Sequence, residues 1–158
     1  MRAKAEAPVP LVIDASVVLA FYLPAEPYKV HALSLLAKVA AGEIRLVVPS
    51  LTRYAVLNVL SRCVRGLKKG PRMTLGDAQE ILGALEGLHL EEHDVPGVEG
   101  RIVEIAKEHG CSAYDAAYLA LAEQLGTRFV TADARLCAAL GPGFPQVVFL
   151  GGFTGTGT

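Results

Sequence analysis

Three aspartates stand where acid chemistry can be assembled: Asp14 in the run LVIDAS, Asp115 in SAYDAAYLALA and Asp133 in FVTAD. Asp14 follows directly on an apolar run of the buried type, and a carboxylate there needs a partner or a metal to offset its desolvation. Asp133 leaves a second such run, and Asp115 falls in the first turn of a helical pattern. Carboxylate and water oxygens suit a hard divalent ion such as Mg²⁺ or Mn²⁺. Asp115 and Asp133 also have purely structural uses, and Asp14 is the hardest of the three to dismiss. Ser112 and Asp115 have capping-box spacing, and Asp133 is placed to cap residues 134–140. Zinc is not indicated. Cys63, Cys111 and Cys137 are scattered and odd in number, and His31, His89, His93 and His109 lack ligand spacing. His89 and His93 are four apart, but the intervening LHLEEHDV reads as strand, which keeps the rings apart. The cysteines read as small core or surface residues of a reducing compartment.

The elements that must position these acids alternate along the chain. Residues 10–14 (PLVID), 46–48, 88–91, 129–131 and 147–150 are strand candidates. Helical patterns cover residues 25–41, 51–66, 74–85, 98–109 and 112–125. Ser50 is expected to cap the second of these and Thr74, with Asp77 three residues on, the third. Glycines stop three of them, at Gly66, Gly110 and Gly126. Strands separated by helices predict an α/β fold, a central parallel sheet covered on both faces. In such sheets ligands bind beyond the carboxyl ends of the strands, so the three acids are expected at one edge.

A chain of 158 residues is about one domain and needs no staples to build a core. With 52% hydrophobic and 20% charged residues it is neither disordered nor fibrous. Asp14 interrupts the most apolar early stretch, which argues against a membrane span and against a secretory signal built on Arg2 and Lys4. A cytoplasmic protein is expected. Residues 1–8 and the Gly/Thr-rich residues 151–158 read as flexible ends around a domain at 9–150. Net charge is −1, yet Arg62, Arg65, Lys68, Lys69 and Arg72 follow one another with no acid between them. From Asp77 to Glu108 the balance reverses, nine acids against Arg101 and Lys107. The basic run is either a solvated face or an edge offered to a polyanion.

The sequence resembles the PIN-domain nucleases, in particular the VapC-type toxins of prokaryotic toxin–antitoxin pairs. The resemblance lies in VIDASVVLAFYLPAE, VVPSLTRYAVLNVLSR, SAYDAAYLALAEQLG and FVTADARL, in that order, across about residues 10–150. It implies a three-layer α/β/α sandwich and Mg²⁺- or Mn²⁺-dependent hydrolysis of RNA phosphodiester bonds. Asp14, Asp115 and Asp133 match the family's metal-binding and catalytic aspartates, Ser16 and Thr131 its accompanying hydroxyls, and Asn58 a polar position on the second helix. The family also implies a homodimer or higher homo-oligomer and a cognate antitoxin. One position departs. The block P-S-L-x-x-x-E ends here in Ala55, and a methyl group cannot coordinate metal, orient water or accept a proton. Three explanations stand: an altered chain made inactive so that a toxic protein could be produced, a natural form that is slow or works by binding, or partial substitution by Asn58 or an ordered water.

On a helix, Ala55, Asn58 and Arg62 share one face, so Arg62, Arg65, Lys68 and Lys69 are expected to line a path for RNA leading from the acids. Aromatic residues are 6% of the chain with no Trp, so no extensive stacking platform is expected. Tyr54 and Tyr22, the latter placed in the first loop, are equally suited to packing and to stacking. Other chemistries fit less well. A phosphoryl-transfer domain would want a second acid after Asp14 and a lysine after Asp133, and neither is present. No P-loop or dinucleotide-binding glycine pattern follows the first strand.

Overall fold

The computed structural model describes residues 6–24, 26–70, 72–95 and 97–153. Five short strands, β1 (Val9–Ile13), β2 (Ile44–Pro49), β3 (Glu91–His93), β4 (Phe129–Thr131) and β5 (Val147–Phe149), form one sheet in the order β3-β2-β1-β4-β5, with every pairing parallel. Alternation along the strands divides the core in two. Leu11, Ile13, Leu46, Val48 and Val130 point to one face. Val12, Val47 and Phe129 point to the other. Helices α1 (Ala15–Tyr22), α2 (Lys29–Ala40), α3 (Thr52–Val64) and α4 (Leu75–Gly87) cover the first face. Helices α5 (Glu99–His109), α6 (Ala113–Leu125) and α7 (Ala134–Leu140) cover the second. The expected three-layer sandwich is the one observed. Crossovers from β1 through β3 run over one face and those from β3 through β5 over the other, which makes the gap between β1 and β4 the topological switch point.

Local signals account for most helix ends. Thr74 and Asp77 form a reciprocal capping box at α4. Gly110 and Gly126 close α5 and α6 in the left-handed conformation, at φ +63° and +61°. Asp133 caps α7 by accepting from the amides of Arg135 and Leu136. Four expectations need correction. The first loop holding Tyr22 is instead α1, an 8-residue helix. Its five consecutive buried residues, from Val17 to Phe21, leave no polar stripe to betray a 3.6-residue period. The helix expected over 25–41 begins only at Lys29, and Ala25 lies outside the described residues. Ser50 does not cap α3: its amide donates to the carbonyl of His93 across the β2 and β3 pairing, and Leu51 takes the N-cap position without a side-chain bond. The strand expected over 88–91 runs from Glu91 to His93, because α4 continues to Gly87 and His89 turns the chain at φ +51°.

The expected flexible tail also shortens. Leu150–Gly152 form a single 3-10 turn, Phe153 is buried, and its carbonyl lies 3.1 Å from Nδ1 of His31 on α2. Residues 1–5 and 154–158 of the expected loose ends lie outside the described residues.

One side-chain bond joins the two helical layers around the carboxyl end of the sheet. Thr52, buried at the start of α3, and Tyr118 of α6 share a hydrogen bond of 2.9 Å. The Tyr118 ring stacks on Phe129 at 5.5 Å, an offset arrangement that burial favours. Burial pushes its phenol up to about 12, and the carboxylates of Asp14 and Asp115 act in the same direction.

Two stability tests follow. Thr74→Ala removes the α4 cap and is expected to cost about 1 kcal/mol, or roughly 2–4 °C in Tm, by thermal melting. The phenol of Tyr118 stays protonated in the folded state after it ionises in the unfolded chain. Its contribution to stability is therefore complete below about pH 10 and declines as pH rises towards about 12. Tyr118→Phe should flatten that alkaline decline in urea melts, and an unchanged slope would refute the assignment.

Candidate active site

The switch point is occupied by Asp14. The last registered pair of β1 and β4 is Ile13 with Val130, so Asp14 and Thr131 leave their strands side by side. Asp14 is 9% exposed, and both of its oxygens are engaged. Oδ1 accepts from the hydroxyl of Ser16 and from the amide of Val17 at 3.2 Å, which makes Asp14 the N-cap of α1. Oδ2 accepts from the hydroxyl of Thr131. The two hydroxyls also lie 3.5 Å apart, a longer contact than either makes with the carboxylate. Ser16 Oγ accepts from the amide of Ala132 at 2.9 Å, and Thr131 Oγ1 from the amide of Asp133 at 3.0 Å. Backbone donors of the β4 exit thus turn both hydroxyl protons onto the carboxylate. Burial still raises the Asp14 pKa above the usual carboxylate range, with the hydrogen bonds from Ser16, Thr131 and the backbone pulling the other way. No basic side chain forms an ion pair with it among the described residues. A nearby cation would offset that cost.

The other two acids border this centre with spare capacity. Asp115, half-buried in the first turn of α6, accepts through Oδ2 from the hydroxyl of Ser112 at 2.9 Å. Asp133, exposed, accepts two α7 amides through Oδ1 alone, at 3.0 and 3.1 Å. The cap foreseen for Asp133 is realised; at α6 Ser112 alone is the cap, accepting from the Asp115 amide at 3.1 Å, and the Asp115 carboxylate meets the Ser112 hydroxyl instead of the backbone amide that a capping box requires. Each carboxylate keeps one oxygen without a protein donor among the described residues. The Asp14 charge reaches Tyr118 on one side and Cys137 on the other; Tyr118 also feels Asp115, and Cys137 also feels Asp133. The three carboxylates border one region without closing on one point. Among the described residues no group of three or more His, Cys, Asp or Glu side chains is arranged to hold a metal ion. The donor set offers carboxylate and hydroxyl oxygens and no nitrogen or sulfur. It fits a hard cation that keeps most of its water and takes one or two carboxylates, and not one that needs an all-protein cage.

A groove of about 550 Å³ opens beside this centre, lined by Ala15, Ser16 and Leu19 of α1, by Ala55, Asn58, Val59 and Arg62 of α3, and by Glu26 and Lys68. Position 55 therefore faces the hydroxyl clamp of Asp14 across the groove with a methyl group. Lys68 donates to Glu26 at 2.7 Å, a pair 42 residues apart that no sequence signal announced. Both residues also line a second groove of about 590 Å³, into which Lys69 and Arg72 open. Arg62 and Arg65 are exposed and form no ion pair among the described residues. Glu26 and the bond between Thr52 and Tyr118 are the site features that sequence reasoning missed.

Comparison with known proteins gives this arrangement its family. Residues 11–140 match the family model described as PIN domain. The chain is 33% identical over 142 residues to Ribonuclease VapC3 of Pyrobaculum aerophilum, covering 87% of this chain and 97% of that protein. It is 38% identical over 92 residues to Ribonuclease VapC9 of Mycobacterium tuberculosis, 58% of this chain and 68% of the relative. Among solved structures, that of PAE2754 from Pyrobaculum aerophilum superposes with a TM-score of 0.66 at 22% identity, covering 92% of this chain and 88% of the other. A toxin–antitoxin complex from Klebsiella pneumoniae has a chain that superposes with a TM-score of 0.60 at 16% identity, covering 89% and 97%. The parallel sheet, the acid at its switch point and the match across most of the chain lead to one conclusion: this chain belongs to the PIN domain family.

Proposed function

We propose that the chain is a VapC-type endoribonuclease, dependent on Mg²⁺ or Mn²⁺, whose turnover is impaired by Ala55. The observation that carries this reading is the buried, hydroxyl-clamped carboxylate of Asp14 beside a groove with a basic wall, in a chain related to proteins named VapC ribonucleases. Asp14 and Asp115 are the direct ligands, and Asp133 is a ligand or holds a water of the cation. Ser16 and Thr131 favour the ionised form of Asp14 against the effect of burial and fix its orientation. The chemistry a divalent cation supplies at such a centre is polarisation of phosphoryl oxygens and a lowered pKa for the attacking water. Arg62, Lys68, Arg65 and Lys69 hold the phosphate backbone of the RNA, with little sequence discrimination and strong dependence on salt. At position 55 the methyl group gives the attacking water no acceptor for its proton. Asn58, one turn along α3, can orient water by hydrogen bonding but cannot take that proton.

A second reading has its own support. Ala55, together with the lack of a three-acid cluster among the described residues, favours a PIN fold that binds RNA or an antitoxin-like protein without turnover. A neighbour in fold comes from a toxin–antitoxin complex, and an antitoxin partner and a homodimer accompany either reading. No helix among the described residues is long and apolar enough to cross a membrane, in keeping with a cytoplasmic site of action.

One assay separates the readings: cleavage of a mixed RNA pool by this chain and by Ala55→Glu, in Mg²⁺ or Mn²⁺ and in EDTA. Glutamate is expected to raise the cleavage rate by about 10²-fold or more, the scale of a positioned general base, with EDTA abolishing it. Adding Asp14→Asn to Ala55→Glu should return the rate to background. Two inert proteins would give the binding reading precedence.

A further inference from the structure

Tyr54 and Tyr22 face opposite fates in the fold. The Tyr22 ring packs against Phe21 edge-on, and its hydroxyl donates to the carbonyl of Ala84 at 3.2 Å. Tyr54, in the first turn of α3, is 78% exposed and takes part in no hydrogen bond or ring contact among the described residues. At about 100° per residue, Tyr54, Arg65, Asn58, Arg62 and Ala55 fall within an arc of roughly 100° on α3. Asn58, Arg62 and Ala55 of that arc line the groove beside Asp14. Tyr54 thus stands at the edge of the groove wall, about 12 Å along the helix from Arg62 at 1.5 Å per residue. The two arginines of the arc are free of acids, whereas Arg53, off the arc, is tied to Glu92 at 2.6 Å.

We propose that Tyr54 is a positioning residue for single-stranded RNA: its ring stacks on one unpaired base at the groove mouth while Arg62 and Arg65 take the neighbouring phosphates. The inference rests on the ribonuclease reading and adds which side chain grips a base beside the groove. A ring with an exposed face beside unpaired guanidinium groups is the combination that grips single strands, because every base has a face to stack and every nucleotide a charge. A base inside a duplex has both faces covered by its neighbours and gives the ring nothing to stack on. A second copy of this chain fits the same surface poorly. A two-fold contact centred here would set Arg62 and Arg65 against their own counterparts. One stacked base also agrees with a chain too poor in aromatics to build a platform.

The test is binding, read without turnover. Fluorescence anisotropy of a short labelled mixed-sequence RNA, single-stranded or annealed to its complement, is measured in EDTA with the full chain and three variants. Tyr54→Ala should weaken single-strand binding by about 5- to 150-fold, the range for loss of one stacked base, and leave duplex binding unchanged. Tyr54→Phe keeps the ring and should retain the original affinity. Val103→Ser removes another exposed apolar side chain, 67% exposed on α5, and should change nothing. If the unaltered chain binds RNA and Tyr54→Ala binds it equally well, the proposal is overturned. It is equally overturned if Tyr54→Ala weakens single strands and duplexes alike, or if its only effect is a lower mass by light scattering. Failure of the unaltered chain to bind any RNA would instead remove the ribonuclease reading on which the proposal rests.

Discussion

Everything at the carboxyl end of the sheet is organised around the cost of keeping one carboxylate out of water. Asp14 leaves β1 at the switch point, where the neighbouring strand is β4 and the helices on either side depart for opposite faces. Its charge is sustained by two hydroxyls, and each hydroxyl is oriented by an amide of the β4 exit. The same carboxylate caps α1 through Val17. Strand pairing, helix initiation and the chemistry of the site therefore share a single set of atoms. Moving β4 by one residue against β1 would exchange Thr131 for a side chain of the opposite face and leave one oxygen of a buried carboxylate without its donor.

The two flanking acids are held more loosely. Asp133 caps α7 with one carboxylate oxygen, Asp115 accepts from the Ser112 hydroxyl that caps α6, and each keeps its other oxygen without a protein donor among the described residues. A structural role and a chemical one do not compete here, because a capping carboxylate needs only one of its oxygens. Ala55 marks the weak side of the arrangement. Lining the same groove as Ser16, Asn58 and Arg62, it leaves the α3 wall without an acid. Such a wall suits holding a polyanion better than activating a water.

Much of this was legible in the residues. Apolar runs of β-branched residues ending in acids located β1 and β4 and the exits where Asp14 and Asp133 stand, and capping pairs located α4 and α6. What escaped notice did so for identifiable reasons. Helix α1 is buried nearly all round, so it carries no stripe, and its cap is the same aspartate that was read for chemistry alone. The start of β3 was hidden because a left-handed histidine is a rare conformation that no local pattern announces. Ser50 lost its capping role to the pairing of two strands 43 residues apart in sequence, a competition visible only once the sheet is assembled. The contacts of Glu26 with Lys68 and of Thr52 with Tyr118 are likewise long-range and carry no spacing signature.

On the proposed reading the buried Asp14 centre takes a divalent cation. The most direct measurement is a titration of the full chain with Mn²⁺, followed by electron paramagnetic resonance, alongside Asp14→Asn. The account predicts saturable Mn²⁺ binding by the chain as it stands, weakened at least about tenfold by Asp14→Asn, on the scale of disrupting a metal centre. Binding that does not saturate, or that is the same in both proteins, would contradict it.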